Sequence, residues 1–448
     1  MSLAYTIYRL VGTGLYLFLA PAGRAYCRVS GSDCRSIKQR LGDYSRQIAG
    51  ATSSASRIWM HAASVGEVGV AESIVNALLP AVPGIRIILT TITKQGHVYA
   101  QRRLAGRAVC LYAPIDLPPA PVKALNALKP DILVFLETEI WPNLLTAAAR
   151  RRIPTAIVNG RISSRSIHRY IKIRPLIRTA LSGIDVFSMI SSKDAERIQR
   201  LGAPSERICI NGNAKYDSLA SQARPALQQK VASQLNAGSN RPVWVAGSTR
   251  EGEEETILDV YRRIRRGQPN LVLVIAPRHI SRVPKLEGMM AHKGFASRRW
   301  TAFRTPNGKA TDSADAIVIV DTIGDLKGIY SISSLVFCGG SLVPLGGQNP
   351  LEAAVWGKPV LYGPSMDDFL EAKQLLETAG GGLQVQDGEG LYNAVRFLLE
   401  TPSQAEEMGR NARLAVLSNT GAAEKHAAVI RRLLNRPHDR GNAADTFL

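Results

Sequence analysis

Short runs of β-branched and other apolar residues recur along this chain, separated by stretches with helical spacing. In the first half the runs fall at 57–61, 86–89, 108–111, 132–136, 155–158 and 186–190. In the second half they fall at 243–246, 271–275, 316–320, 335–337 and 359–361. They lack the polar alternation of a half-exposed strand, as expected for strands covered on both faces. Strands of that kind alternating with helices predict parallel βαβ units. A chain of 448 residues is too long for one such core. A polar stretch rich in Ala, Gln and Ser, at 219–240, reads as a connection between domains followed by a short helix. The expectation is therefore an α/β protein with two domains of similar size, 24–218 and 241–435, a cleft between them, and a polar tail at 436–448. Ligands of such sheets bind outside the carboxyl ends of the strands.

Residues 3–22 carry a single charge, Arg9, and their length of about 20 residues is borderline for a membrane span. Arg24, Arg28, Arg35, Lys38, Arg40 and Arg46 follow. Three readings compete for 1–23: an uncleaved anchor or interfacial helix, a helix packed on the protein, and a cleaved signal peptide. The basic residues that follow favour the first, with the body of the protein on the cytoplasmic side.

Charge narrows the partners. Lys plus Arg number 56 against 36 Asp plus Glu, a net charge of +20. Between Ile140 and Ile184 there is no acidic residue, while arginines and lysines crowd 150–178. Within that interval basic and apolar positions mix at near-helical spacing, interrupted at Pro175. Such a segment suits anionic lipid headgroups or a phosphorylated substrate. Nucleic acid is not expected, because the aromatic residues needed for base stacking are nearly absent there. Five cysteines without CxxC spacing argue against a disulfide framework or a zinc knuckle.

Several motifs follow predicted strands. Ser64 and Glu67 have capping-box spacing. Glu67 is thus either a helix cap or a carboxylate placed for general-base work, and spacing alone favours the cap. Glu137 and Glu139 flank Thr138 after the run 132–136; one of them is expected to face the cleft, and the sequence leaves open which. In the second half, Ser248 and Arg250 sit in a Gly-hydroxyl turn that could offer backbone N–H groups to a phosphate. Glutamates crowd 251–255, where they suit the dipole of the next helix. Pro277, Arg278 and His279 end another strand, and the arginine could pair with phosphate. The richest segment, 337–354, joins a buried strand to Gly340 and Ser341, a Gly-Gly turn, Asn349, and a helix opened by Pro350 with Glu352 in its first turn. Its glycines would let the backbone approach a phosphate. It matches neither a Walker A nor a GxGxxG pattern.

Taken together, HAASVGEV at 61–68, ETEIWPN at 137–143, NGRIS at 159–163, GNAKYD at 212–217, AGSTREGEEE at 246–255, PRH at 277–279, GGSLVPLGGQNPLEAA at 339–354 and GPSMDDF at 363–369 resemble the 3-deoxy-D-manno-octulosonic acid (Kdo) transferases of Gram-negative lipopolysaccharide synthesis. The resemblance runs in order from about residue 35 to residue 425. It implies a GT-B fold of two facing Rossmann-like domains, and an inverting transfer from CMP-Kdo to the tetraacylated lipid A precursor at the cytoplasmic face of the inner membrane. No metal and no cofactor are expected. Under it Glu67 becomes the general base, and Glu137 or Glu139 positions the reacting sugars. Arg278 with Gly340 and Ser341 would hold the CMP phosphate, and Asn349 and Glu352 the nucleotide. Ser248 and Arg250 would line the Kdo or phosphate site, with the rest of the Pro277–His279 turn beside them. The alternative is another GT-B nucleotide-sugar enzyme, a UDP-sugar transferase or an epimerase. A non-enzymatic basic scaffold is disfavoured by the presence of Glu67, Glu137 and Glu139.

Overall fold

The computed structural model describes residues 2–29, 34–44, 55–235, 241–304 and 316–435. The polar tail and Arg46 lie outside the described residues. The chain forms two compact units, one of residues 1–218 and 420–448, the other of residues 219–419.

The first unit holds β1 (Arg57–His61), β2 (Arg86–Thr91), β3 (Val109–Tyr112), β4 (Ile132–Leu136), β5 (Thr155–Gly160), β6 (Val186–Met189) and β7 (Ile208–Ile210). They form one sheet in the order β3-β2-β1-β4-β5-β6-β7, every pair parallel. The strands are buried on both faces, which is why their sequences do not alternate with polar residues. Trp59, Ile88, Leu133, Phe135, Ile157 and Phe187 belong to the core on one face. Their neighbours Ile58, Met60, Leu89, Val134 and Val158 belong to the other. The strand order reverses between β1 and β4. Loops from these two strands leave in opposite directions, and a crevice opens at the carboxyl ends between them.

The second unit repeats the plan with β8 (Val243–Thr249), β9 (Val272–Pro277), β10 (Ser297–Arg299), β11 (Ile317–Ile319), β12 (Leu335–Cys338), β13 (Val360–Tyr362) and β14 (Gly382–Gln384). Their order is β10-β11-β9-β8-β12-β13-β14, again all parallel. Here the reversal lies between β8 and β12.

The boundary expected at 218 coincides with the division between the units, and the structure corrects the far end of the second domain. The short helix expected within 219–240 is Pro225–Leu235, and a further helix, Lys215–Gln222, runs through the unit boundary. Residues 236–240 lie outside the described residues. The last helix, Ala422–Leu434, belongs to the first unit and not, as the sequence suggested, to the second. Its Ala423, Ala427, Ile430 and Leu433 join the core built on Ile58, Met60 and Val134. Asp217 accepts hydrogen bonds from Gly421 N (2.7 Å) and Ala423 N (3.3 Å) at its start. His426, fully buried, receives the Ser188 hydroxyl at Nδ1 (2.7 Å) and donates from Nε2 to the Gly212 carbonyl (3.1 Å).

Burial pushes the His426 imidazole down to about 4. The unfolded chain titrates near 6.5, so between pH 6.5 and 4 the unfolded state binds the extra proton and the folded state does not. Stability from this group is therefore present above pH 6.5 and lost as pH falls toward 4. Thermal melts are expected to show a first-unit transition that drops over this window, and His426→Gln should flatten the slope.

The amino-terminal helix, Leu3–Val29, extends six residues beyond the expected 1–23 and is long and apolar enough to cross a membrane. Tyr5, Gly12, Tyr16 and Ala20 form a stripe buried in the first unit. The Tyr16 hydroxyl donates to the Leu41 carbonyl (3.0 Å), and a Cβ on Gly12 would come within 2.9 Å of Pro118. The opposite side exposes Leu3, Ile7, Leu10, Val11, Leu17 and Phe18. The packed-helix reading and the interfacial reading thus each describe one side of it.

Candidate active site

Three carboxylates meet at the reversal point of the first sheet. Glu67 lies in the first turn of the helix Val65–Ala81, just after β1. It is only 7% exposed. Its oxygens accept the Ala63 amide (2.7 Å) and the Ser64 hydroxyl (2.8 Å). The expected capping box is therefore not made: Ser64 turns its hydroxyl to Glu67 and caps no helix amide, and Glu67 accepts the amide of Ala63 rather than that of Ser64. Burial pushes the Glu67 carboxyl up to about 7 against the pull of these two bonds, and the charges of Glu137 and Glu139 add to the rise. A carboxylate poised near neutrality can take a proton in one step and release it in the next.

Glu137 follows β4 with a positive φ of 56° and pairs with Lys215 Nζ at 2.6 Å. Glu139 accepts the Trp141 indole N–H at 2.9 Å. The Trp141 ring meets His61 edge to face, with centroids 4.6 Å apart, and His61 Nδ1 lies 3.0 Å from the Thr90 hydroxyl. The neighbouring motifs are tied into the same cluster. Arg161 N donates to the Thr138 hydroxyl (3.0 Å), and Ala214 N to the Asn159 side-chain carbonyl (2.8 Å). Asn159 and Ser248 share the positive φ of Glu137, at 52° and 56°. Non-glycine residues rarely adopt this conformation, and strain of this kind concentrates at functional sites.

In the second unit the motifs also flank the reversal point, after β8 and β12. Ser248 sits at a bulge in β8. Arg250 donates from Nη1 to His279 Nε2 (2.9 Å), while its own Nε is buried without a partner. Pro277 ends β9 and is buried; Arg278 and His279 are exposed beyond it. Arg278 N donates to the Thr249 carbonyl (3.0 Å), which fixes the turn beside Arg250. Asn349 accepts the Leu351 amide, and Glu352 lies 3.5 Å from Lys327 Nζ. Among the described residues, no group of three or more His, Cys, Asp or Glu is arranged to hold a metal ion.

One expectation is overturned. Gly340 and Ser341 do not present free N–H groups. Glu253, fully buried, fills that nest, accepting the amides of Gly340 (2.6 Å), Ser341 (2.9 Å), Leu342 (2.9 Å) and Arg250 (2.9 Å). The Ser341 hydroxyl is likewise spent between the Cys338 carbonyl and the Gly363 amide. An internal carboxylate occupies the place where the sequence suggested a phosphate. The cations Arg250 and Arg278 are left as the groups able to meet one.

A family model described as 3-deoxy-D-manno-octulosonic-acid transferase matches residues 35–218. A Haemophilus influenzae 3-deoxy-D-manno-octulosonic acid transferase is 33% identical, over 85% of this chain and 87% of its own length. The chain belongs to the Kdo transferase family. A Bordetella pertussis Kdo transferase is 29% identical over 83% of this chain and 86% of its own. Among solved structures, a UDP-N-acetylglucosamine 2-epimerase covers 88% of this chain and 99% of its own, with a TM-score of 0.59 and 16% identity. That likeness concerns the fold alone and agrees with a GT-B architecture. This Kdo transferase is accordingly a glycosyltransferase.

Sequence reasoning named the three carboxylates of the transferase but not the residues that hold them. Lys215 stood in the GNAKYD motif without a role, and Trp141 was quoted only as part of ETEIWPN. Both could have been found by asking what neutralises or orients a pair of glutamates. Glu253 gave no such signal, because a run of glutamates at a helix start already has an explanation in the helix dipole.

Proposed function

We propose that this glycosyltransferase transfers Kdo from CMP-Kdo to the tetraacylated lipid A precursor at the cytoplasmic face of the inner membrane, inverting the anomeric centre. The observation that carries the proposal is Glu67: a buried carboxyl with a pKa near 7, at a strand-order reversal, beside two further glutamates. Glu67 takes the proton of the acceptor hydroxyl as its oxygen bonds to the anomeric carbon of Kdo. The bond from that carbon to the CMP phosphate oxygen breaks, and its electron pair leaves with CMP. Lys215 holds Glu137, and Trp141 holds Glu139, so that both carboxylates can orient sugar hydroxyls. Arg250 and Arg278 meet the charge that grows on the departing phosphate. Ser248 lines the same turn, and Asn349 and Glu352 are assigned to the nucleotide. Exposed Arg161, Arg169, Lys172 and Arg174, in a segment free of acidic residues, would face anionic lipid or the acceptor's phosphates.

The test is a product assay with detergent-solubilised protein, CMP-Kdo and the tetraacylated precursor, read by mass spectrometry. A product heavier by one or more Kdo units supports the proposal. Turnover of a UDP-sugar in place of CMP-Kdo would instead favour the alternative nucleotide-sugar enzyme. Because the base must be ionised, kcat/KM is expected to rise with pH, with unit slope below about 7, and to level off above it. A profile flat from pH 5 to 8 would remove Glu67 from the role.

A further inference from the structure

The first unit contains a cavity of about 310 Å³ that the reaction described above does not use. It is lined by Tyr8 of the amino-terminal helix, by Ile92 and Ile115 from the loops after β2 and β3, and by Ile140, Trp141 and Pro142 of the ETEIWPN loop. The polar groups at its wall are bonded mainly to the protein itself. The Tyr8 hydroxyl donates to Asp116 (3.1 Å), and Asp116 also accepts the amides of Asn143 (3.0 Å) and Leu144 (2.8 Å). Arg40 donates to the Ile92 carbonyl (2.5 Å) and lies over the Tyr112 ring. Apart from the Arg40 guanidinium at one edge, the lining is mainly apolar, and the volume is at the small end of ligand pockets. What remains to be buried there is hydrocarbon.

The position of Tyr8 says where the hydrocarbon would come from. On a helix, residues three and seven positions on lie close to the same face. From Tyr8 these are Val11 and Leu15, which are exposed at 67% and 46%. On the other side of Tyr8 lie Tyr5, Gly12 and Tyr16 of the buried stripe. Tyr8 therefore marks the border between the docked side of the helix and its bare apolar side. Tyr8 and Trp141 both line the cavity, and the Trp141 indole N–H is bonded to Glu139.

We propose that this cavity holds one acyl chain of the lipid acceptor, led in along the apolar side of the amino-terminal helix. The proposal rests on the lipid-acceptor reading given above. The chain anchors the acceptor so that its sugar lies over the three glutamates, and Trp141 joins the two sites by touching the chain and bonding Glu139.

The full-length protein in detergent is mixed with the tetraacylated acceptor carrying bromine on its acyl chains, a contact quencher of tryptophan. In a protein with the half-buried Trp356 of the second unit already replaced by Phe, fluorescence should be quenched, and the quenching should vanish in Trp141→Phe, since Trp59, Trp244 and Trp300 are fully buried. Ile115→Trp, which fills the cavity, should lower kcat/KM for the tetraacylated acceptor about ten-fold or more while sparing the deacylated sugar. Ile115→Val, which keeps the space, should restore it. Absence of Trp141-dependent quenching overturns the proposal. So does equal quenching by brominated phosphatidylglycerol vesicles, which would assign the cavity to bulk lipid. Quenching by the acceptor without any transfer would leave the chain site standing and bring down the functional reading instead.

Discussion

Replacing Glu67 by glutamine is expected to cut kcat by about 10²–10⁴-fold while CMP-Kdo binding persists. Glutamine keeps the size of the side chain and can still accept the Ala63 amide or the Ser64 hydroxyl, so the helix start should hold. What it removes is the proton acceptor. The same change should stabilise the fold at pH 8. Glu67 has its folded pKa raised to about 7, above the ordinary carboxylate range. Above the unfolded pKa the folded state therefore loses stability as pH rises, and the loss is complete above about 7. The gain on substitution is expected to be on the order of 1–3 kcal/mol. Loss of rate with a gain in melting temperature is the signature of a strained functional carboxylate. Loss of both would mark Glu67 as a helix cap.

Glu253→Ala is expected to be the most damaging single change in the second unit, by about 3–5 kcal/mol. It strands four amides that share one buried carboxylate, three of them in the turn after β12. Tryptophan fluorescence would follow the unfolding, because Trp244 and Trp300 are core residues of this unit. CMP affinity should fall with it, since Arg250 takes its backbone position from Glu253. Glu253→Gln should fall between, keeping one acceptor oxygen. Formate or phosphate added to the alanine variant should restore part of the melting temperature by entering the vacated nest. An alanine variant that melts like the parent would show that water satisfies these amides and that Glu253 has no organising role.

The parts of the fold that were legible in the sequence are those where burial on both faces leaves a mark. The central strands β1, β4, β8 and β12 stand out as apolar runs, and Pro175 was read as a break where one helix ends at Lys172 and the next begins at Arg174. The strands Ile208–Ile210, Ser297–Arg299 and Gly382–Gln384 escaped notice. Each is three residues long and at a sheet edge, half-covered, with little apolar surface to signal it. The boundary at 218 was legible in the change to polar composition and coincides with the division between the units; the helix Lys215–Gln222 that passes through it was not, because polar composition mimics a loop. At the site, Glu67, Glu137 and Glu139 could be named because each follows a buried strand, and the carboxyl ends of neighbouring strands lie together. The Gly340–Ser341 turn could not be read correctly. Its true partner lies 87 positions earlier, and a glycine nest has the same sequence whether a ligand or a side chain fills it.

The return of the last helix to the first unit sets a timetable for synthesis. Residues 219–419 are contiguous and can close their sheet as soon as they leave the ribosome. The first sheet cannot. The helix that covers one of its faces starts at Ala422, roughly 200 residues after Ser218. At ribosomal speeds of about 5–20 residues per second that is a wait on the order of 10–40 s. Throughout it Met60, Val134 and their neighbours lack part of their cover, while the apolar amino-terminal helix has already left the ribosome. The later half of the gene thus completes the earlier half of the protein. A nascent chain stalled before residue 422 is the form of this enzyme most in need of a chaperone.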